Sequence, residues 1–156
     1  MKVVRATNAE DVVRVEPIAW LWEKECNRDS FGIDLDPSGY LKGLRELIVG
    51  SDSDLLLLLA DDDEKIAGFM GLTIFKSPLG NQKIANEHFW FVSGENRGKS
   101  SMLLIRAAKE WAKEKGCSHL ILNASKLASD IHDRLCVFYE RMGFKLFETA
   151  YIKEIV

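Results

Sequence analysis

Phe89-Trp90-Phe91-Val92-Ser93-Gly94-Glu95-Asn96-Arg97-Gly98-Lys99-Ser100-Ser101-Met102-Leu103-Leu104 is the stretch whose reading decides the fold. Its aromatic and β-branched opening predicts a strand. Ser93-Gly94 and Asn96-Arg97-Gly98 predict a tight loop. Leu104, Ala108 and Trp111, widened by Ile105 and Ala112, form a helical stripe, and Arg106, Lys109, Glu110, Lys113 and Glu114 cover the other side. Gly116 follows as a left-handed stop. The first N–H groups of such a helix lack partners within it, and its dipole adds about half a positive charge there. Arg97 and Lys99 add two full charges. The loop is therefore a candidate pyrophosphate site, with Arg97, Gly98, Lys99, Ser100 and Ser101 as its residues.

Outward from this loop, the chain reads as alternating elements. Residues 3–6 are a short strand. Thr7-Asn8-Ala9-Glu10 has capping-box spacing and opens a helix carrying Val15, Ile18, Ala19 and Trp22, with a kink or restart expected at Pro17. Asp36-Pro37 starts a second helix through Tyr40, Leu44, Leu47 and Ile48, stopped near Gly50. Five consecutive leucines in residues 54–60 predict a strand covered on both faces. Asp61-Asp62-Asp63 makes a hairpin turn. Residues 65–75 and 82–92 are the next two strands, with Gly68 and Gly71 marking a bulge or a close backbone neighbour. After the organising helix come a strand at 119–123, a helix at 130–142 stopped by Gly143, and two closing strands at 144–148 and 151–155. The early strands pair antiparallel and the later strand–helix–strand is a parallel crossover. The expected class is α+β, a mixed and mostly antiparallel central sheet flanked by helices, in one domain spanning residues 1–156.

Composition narrows the function. The chain has 156 residues, 47% hydrophobic and 29% charged, with a net charge of −3. That size suits one core. The charge offers no general attraction to nucleic acid, and interleaved Glu95, Glu110 and Glu114 break up the basic helix face. No apolar run nears the ~20 residues that span a bilayer. The N-terminus is no secretory signal, so a cytoplasmic protein is expected. Cys26, Cys117 and Cys136 are odd in number and widely spaced, which suggests neither a disulfide framework nor a metal site.

Arg97-Gly98-Lys99-Ser100-Ser101-Met102, with the helix ending at Gly116, resembles the acetyl-CoA motif of the GNAT acyltransferase superfamily. Phe138-Tyr139 followed by Gly143-Phe144 resembles that family's second signature. The resemblance implies the GNAT fold, a sheet that splays beside the loop, and transfer of an acyl group from acetyl-CoA to an amine, without a metal. The loop departs from the family's pattern at Ser100 and Met102, where glycines are usual, and Met102 has to point into the core. By this resemblance Tyr139 is the candidate donor to the departing thiolate. Val92 or Ser93 offers a main-chain N–H to the oxyanion, and Glu87 is the candidate base. Asn123 and His132 are candidate contacts to the cofactor arm. Glu87 alternates with Phe89 and Phe91, so it is expected on their face. A GNAT-like module that binds acyl-CoA without turnover is the alternative. The acceptor, a small molecule or a peptide amine, would be shaped by residues 26–35 and 77–81. Trp20, Trp22, Phe31 and Trp90 are candidate lining residues. Strand addition between protomers is a route to a homodimer.

Overall fold

The computed structural model describes residues 1–34, 36–49 and 51–155. The expected stop at Gly50 lies outside them. Five strands form one sheet in the order β1 (Lys2–Arg5), β2 (Asp54–Ala60), β3 (Ile66–Lys76), β4 (Lys83–Val92), β5 (Cys117–Ile121). The first four pair antiparallel, and β5 joins β4 in parallel. Helices α1 (Ala9–Glu25) and α2 (Pro37–Val49) precede β2; α3 (Lys99–Glu114) links β4 to β5, and α4 (His132–Arg141) follows.

The leucine run explains the layering. Leu55, Leu57 and Leu59 pack in one cluster with Leu104, Ile105 and Trp111 of α3. Leu56, Leu58 and Ala60 pack in another with Val12, Val15 and Ile18 of α1 and Leu44 of α2. Both faces of β2 are thus buried, which is why its sequence shows no alternation.

Helix α1 is capped by Asn8, whose side chain accepts from the N–H groups of Glu10 and Asp11, while Asp11 completes the capping box. The cap sits one residue later than Thr7-Asn8-Ala9-Glu10 suggested. The helix runs through Pro17 without restarting. Pro17 denies Val13 its helical donor, but Val13 is exposed and water can replace the bond. Gly116 (φ 72) and Gly143 (φ 84) adopt the left-handed conformation that stops the preceding helices.

Two corrections concern the later strands. Opposite β3, Gly71 pairs with Phe89 and Leu72 with Glu87, so His88 is an extra, bulged residue. The bulge reverses the alternation. Phe89 and Phe91 face the α1–α2 cluster, while Ala85, Trp90 and Val92 face the α3–α4 cluster. Glu87 therefore does not share the face of Phe89 and Phe91. Gly71 is required here, since a Cβ would come within 2.5 Å of the Phe89 ring.

The closing strands expected at 144–148 and 151–155 are absent: residues 144–155 carry no strand. They contain no Gly, Pro, Asn or Asp to turn the chain into a hairpin. The pattern is strand-like, but among the described residues no main-chain partner pairs with it.

Candidate active site

β4 and β5 pair only between Lys83–Asn86 and Cys117–Ile121, and past the bulge they diverge. The gap opens into a cleft of about 520 Å³. Its walls are the end of α1 (Trp22, Glu25, Cys26), β4 from Glu87 to Val92, the start of α3 (Gly98, Ser101), Asn123, and the inner side of α4 (Arg134, Leu135, Phe138).

Glu87 lies where the strands part. It is only 2% exposed. Its Oε2 accepts the Asn123 N–H at 2.8 Å, and the Asn123 side-chain amide donates back to the Glu87 carbonyl. The carboxylate thus takes the place of a ladder carbonyl at the point where the ladder ends. Burial pushes its pKa up to about 8, although the Asn123 hydrogen bonds pull the other way.

Asn123 is held from the other side as well. Its carbonyl accepts the Tyr139 hydroxyl at 3.1 Å, and that hydroxyl accepts the Trp90 indole N–H at 2.8 Å. Tyr139 is buried, and its proton is committed to Asn123. Burial, reinforced by the Glu87 charge, raises its pKa well above that of an ordinary phenol. Among the described residues, Tyr139 is not on the cleft wall.

The main chain of β4 supplies donors. Ser93 N–H donates to the Ala67 carbonyl at 2.9 Å, so it faces β3 and is occupied. In an antiparallel ladder, neighbouring residues turn their main-chain groups to opposite sides. Val92 therefore faces the gap, as does Trp90 two residues earlier. The Val92 carbonyl indeed accepts Arg97 Nε at 2.9 Å from that side. Of the two sequence candidates, Val92 turns its N–H toward the gap and Ser93 does not.

The loop leads to Gly98, whose φ of 93 places it in a region that side-chain-bearing residues avoid. No side chain caps α3. The N–H groups of its first turn thus point toward the cleft mouth, and Ser101 is buried on the cleft wall. Lys99 is exposed, and Ser100 is half-buried. Arg97 is less free than its charge suggests. Its guanidinium pairs with Glu25 and lies over the Phe91 ring, 5.4 Å from the centroid. Met102 is half-buried and does not join the core, contrary to expectation.

His132 is not brought to the cleft. Its ring contacts Asp133 at 2.8 Å and Cys136 at 3.8 Å. Trp22 and Trp90 reach the cleft wall, but Trp20, Phe31 and the 77–81 turn do not. Arg134 was missed. Its signal was a charge within the apolar stripe of α4, three residues after Ile131 and four before Phe138.

A second, more open groove of about 450 Å³ lies between α2 and β4. It shares His88 and Phe89 with the cleft, so the two meet at the bulge. Tyr40, Gly43 and Leu47 form its α2 wall, with Asp34 and Asp36 at one end. Asp36 is already used, accepting the Ser38 N–H at 3.1 Å.

Residues 17–144 match the family described as "Acetyltransferase (GNAT) family". No curated relative matches the sequence. Solved structures share the fold across the whole chain. A ribosomal-protein-alanine N-acetyltransferase from Brucella melitensis biovar Abortus 2308 is similar at 17% identity and TM-score 0.73, covering 99% of this chain and 100% of its own. The aminoglycoside 6'-N-acetyltransferase of Acinetobacter baumannii is 17% identical at TM-score 0.72, with 99% and 98% covered. A putative acetyl transferase from Pyrococcus furiosus is 18% identical at TM-score 0.68, with 99% of both chains covered. With most of its length matched to the family and this sheet beneath its cleft, the chain belongs to the GNAT acetyltransferases, enzymes that draw their acetyl group from acetyl-CoA.

Proposed function

We propose that acetyl-CoA lies in the gap between β4 and β5, and that Glu87 takes the proton from an amine attacking its thioester. One observation carries this reading: a carboxyl group buried where the strands separate and oriented by Asn123, a burial that pushes its pKa up to about 8. Such a group is matched to proton transfer near neutral pH.

The diphosphate is proposed to sit on the uncapped first turn of α3, against the N–H groups of Lys99 and Ser100, with Gly98 and Ser101 beneath it. Lys99 and Arg134 supply cations at the rim. Arg97 instead ties the loop to the end of α1 through Glu25. The thioester oxygen faces the Val92 N–H. As the amine nitrogen bonds to the carbonyl carbon, charge gathers on that oxygen, where a fixed donor stabilises it. The amine proton goes to Glu87. The C–S bond then breaks, and the proton held by Glu87 balances the departing thiolate as thiol.

Tyr139 serves here as a positioning residue. With its pKa raised, it stays protonated and holds Trp90 and Asn123 in place. The acceptor enters through the α2–β4 groove. Tyr40, Leu47 and Phe89 suit an apolar stem, and Asp34 suits a positive charge on it.

The test is a thiol-release assay over an amine panel, with Glu87→Gln in parallel. The variant is expected to lose ~10²–10⁴-fold in kcat while binding acetyl-CoA as before. Equal rates in the two proteins would remove Glu87 from the chemistry. Binding of acetyl-CoA without thiol release for any amine would favour a non-catalytic binding module.

A further inference from the structure

Helix α4 carries a second chemical cluster, on a stripe that the cleft does not use. Leu135 and Phe138 line the cleft, whereas His132, Asp133 and Cys136 do not. His132 and Cys136 stand about one helical turn apart, so their side chains meet. His132 Nε2 lies 3.8 Å from Cys136 Sγ, and Nδ1 of the same ring lies 2.8 Å from Asp133 Oδ1. A nucleophile, a base and a carboxylate that orients the base are therefore linked in series.

The connectivity places the protons. The His132 contact holds the Asp133 carboxyl below its ordinary range, so it stays ionised. An ionised carboxylate only accepts hydrogen bonds. Nδ1 therefore carries the ring proton, and Nε2 turns its lone pair to the thiol. Asp133 is 93% exposed, and a pair so open to water adds little to stability. What the contact does fix is the orientation of the ring. The other two cysteines differ. All three are unbridged and half-buried, so exposure alone does not separate them. Among the described residues, neither Cys26 nor Cys117 has a histidine at its sulfur. Burial pushes the Cys26 thiol up to about 11 and raises that of Cys117 as well. Both are held in the protonated, unreactive form.

We propose that Cys136 is a modification site, a nucleophilic thiol that exchanges with small-molecule disulfides, with His132 as its base and Asp133 orienting that base. Nε2 takes the Cys136 proton, and the thiolate attacks one sulfur of the disulfide. A bond forms between Cys136 Sγ and that sulfur, and the original sulfur–sulfur bond breaks. The departing thiolate takes the proton from the imidazolium and leaves as a thiol. Cys136 is oxidised as the departing half is reduced, so the disulfide is the only oxidant needed. Two sources share this chemistry: the disulfide of coenzyme A, the thiol that acetyl transfer releases, and the disulfide of glutathione.

The test follows each cysteine separately, by peptide mass mapping, as the full chain reacts with coenzyme A disulfide or with glutathione disulfide near neutral pH. Cys136 is expected to react on the order of tenfold faster than Cys26 and Cys117, releasing one thiol per adduct. His132→Gln is expected to remove most of that advantage, and Asp133→Asn part of it, while the rates at Cys26 and Cys117 stay as they were. A clear preference for one of the two disulfides supports the site and identifies its source. The proposal is overturned if wild-type Cys136 reacts no faster than the other two cysteines, a comparison that needs no variant. A folded His132→Gln protein whose Cys136 reacts at the wild-type rate overturns it equally. None of these readouts depends on acetyl transfer, so the outcome is independent of the role proposed for Glu87.

Discussion

A carboxyl group removed from water holds its proton, and Glu87 carries that cost into the stability of the whole fold. Its pKa rises from an ordinary 4.5 to about 8 on folding. The folded state therefore binds the proton more tightly than the unfolded chain. The contribution to stability is complete below pH 4.5 and is lost as pH climbs through 8. Urea unfolding across that window should show the protein weakening by on the order of a few kcal/mol, and the Glu87→Gln protein lacking that decline. Parallel pH profiles for the two would contradict the burial of an ionisable group at this position. Activity should move the opposite way, rising toward pH 8 as the base ionises. This residue also marks what the sequence left unreadable. Its type and strand were legible, but its face was not, because one bulged residue at His88 reverses the alternation. Gly71 hinted at a bulge from the opposite strand without saying which strand holds the extra residue. Arg97 was equally opaque, since its partner Glu25 lies 72 residues away in sequence.

Elements dictated locally were the most legible. The leucines of β2, the stripe of α3, the proline at the start of α2 and the glycines at 116 and 143 all appear where their chemistry demanded. The start of α3 depends on Gly98 for a main-chain reason. Open space surrounds a Cβ there, so size is no obstacle, but φ of 93 is. Gly98→Ala should cost ~1–3 kcal/mol in urea unfolding and raise the KM for acetyl-CoA, leaving the acceptor KM nearly unchanged. An alanine variant with wild-type stability and wild-type KM would mean that this turn is not held as described. The missing closing strands teach the converse lesson. Alternation and composition identify a segment able to be a strand, while a partner decides whether it becomes one.

For the molecule as a whole, the sheet separates two entrances. The cleft between β4 and β5 opens toward α3 and α4, the groove along α2 opens on the other face, and they meet at His88 and Phe89. Such an arrangement lets two substrates approach one carbonyl from different sides. Gly43 keeps the groove open, with nothing near the space a Cβ would fill. Gly43→Val should therefore raise the acceptor KM severalfold while the protein stays folded and its KM for acetyl-CoA is unaltered. If acceptor kinetics do not change, the amine uses another route. The cofactor's seat is the premise beneath both predictions. An amide NMR titration with acetyl-CoA tests it most directly. Saturable one-to-one binding is predicted, with the largest shifts at Trp90, Val92, Lys99 and Ser100. Absence of binding, or shifts gathered away from the β4–β5 gap and the start of α3, would contradict it.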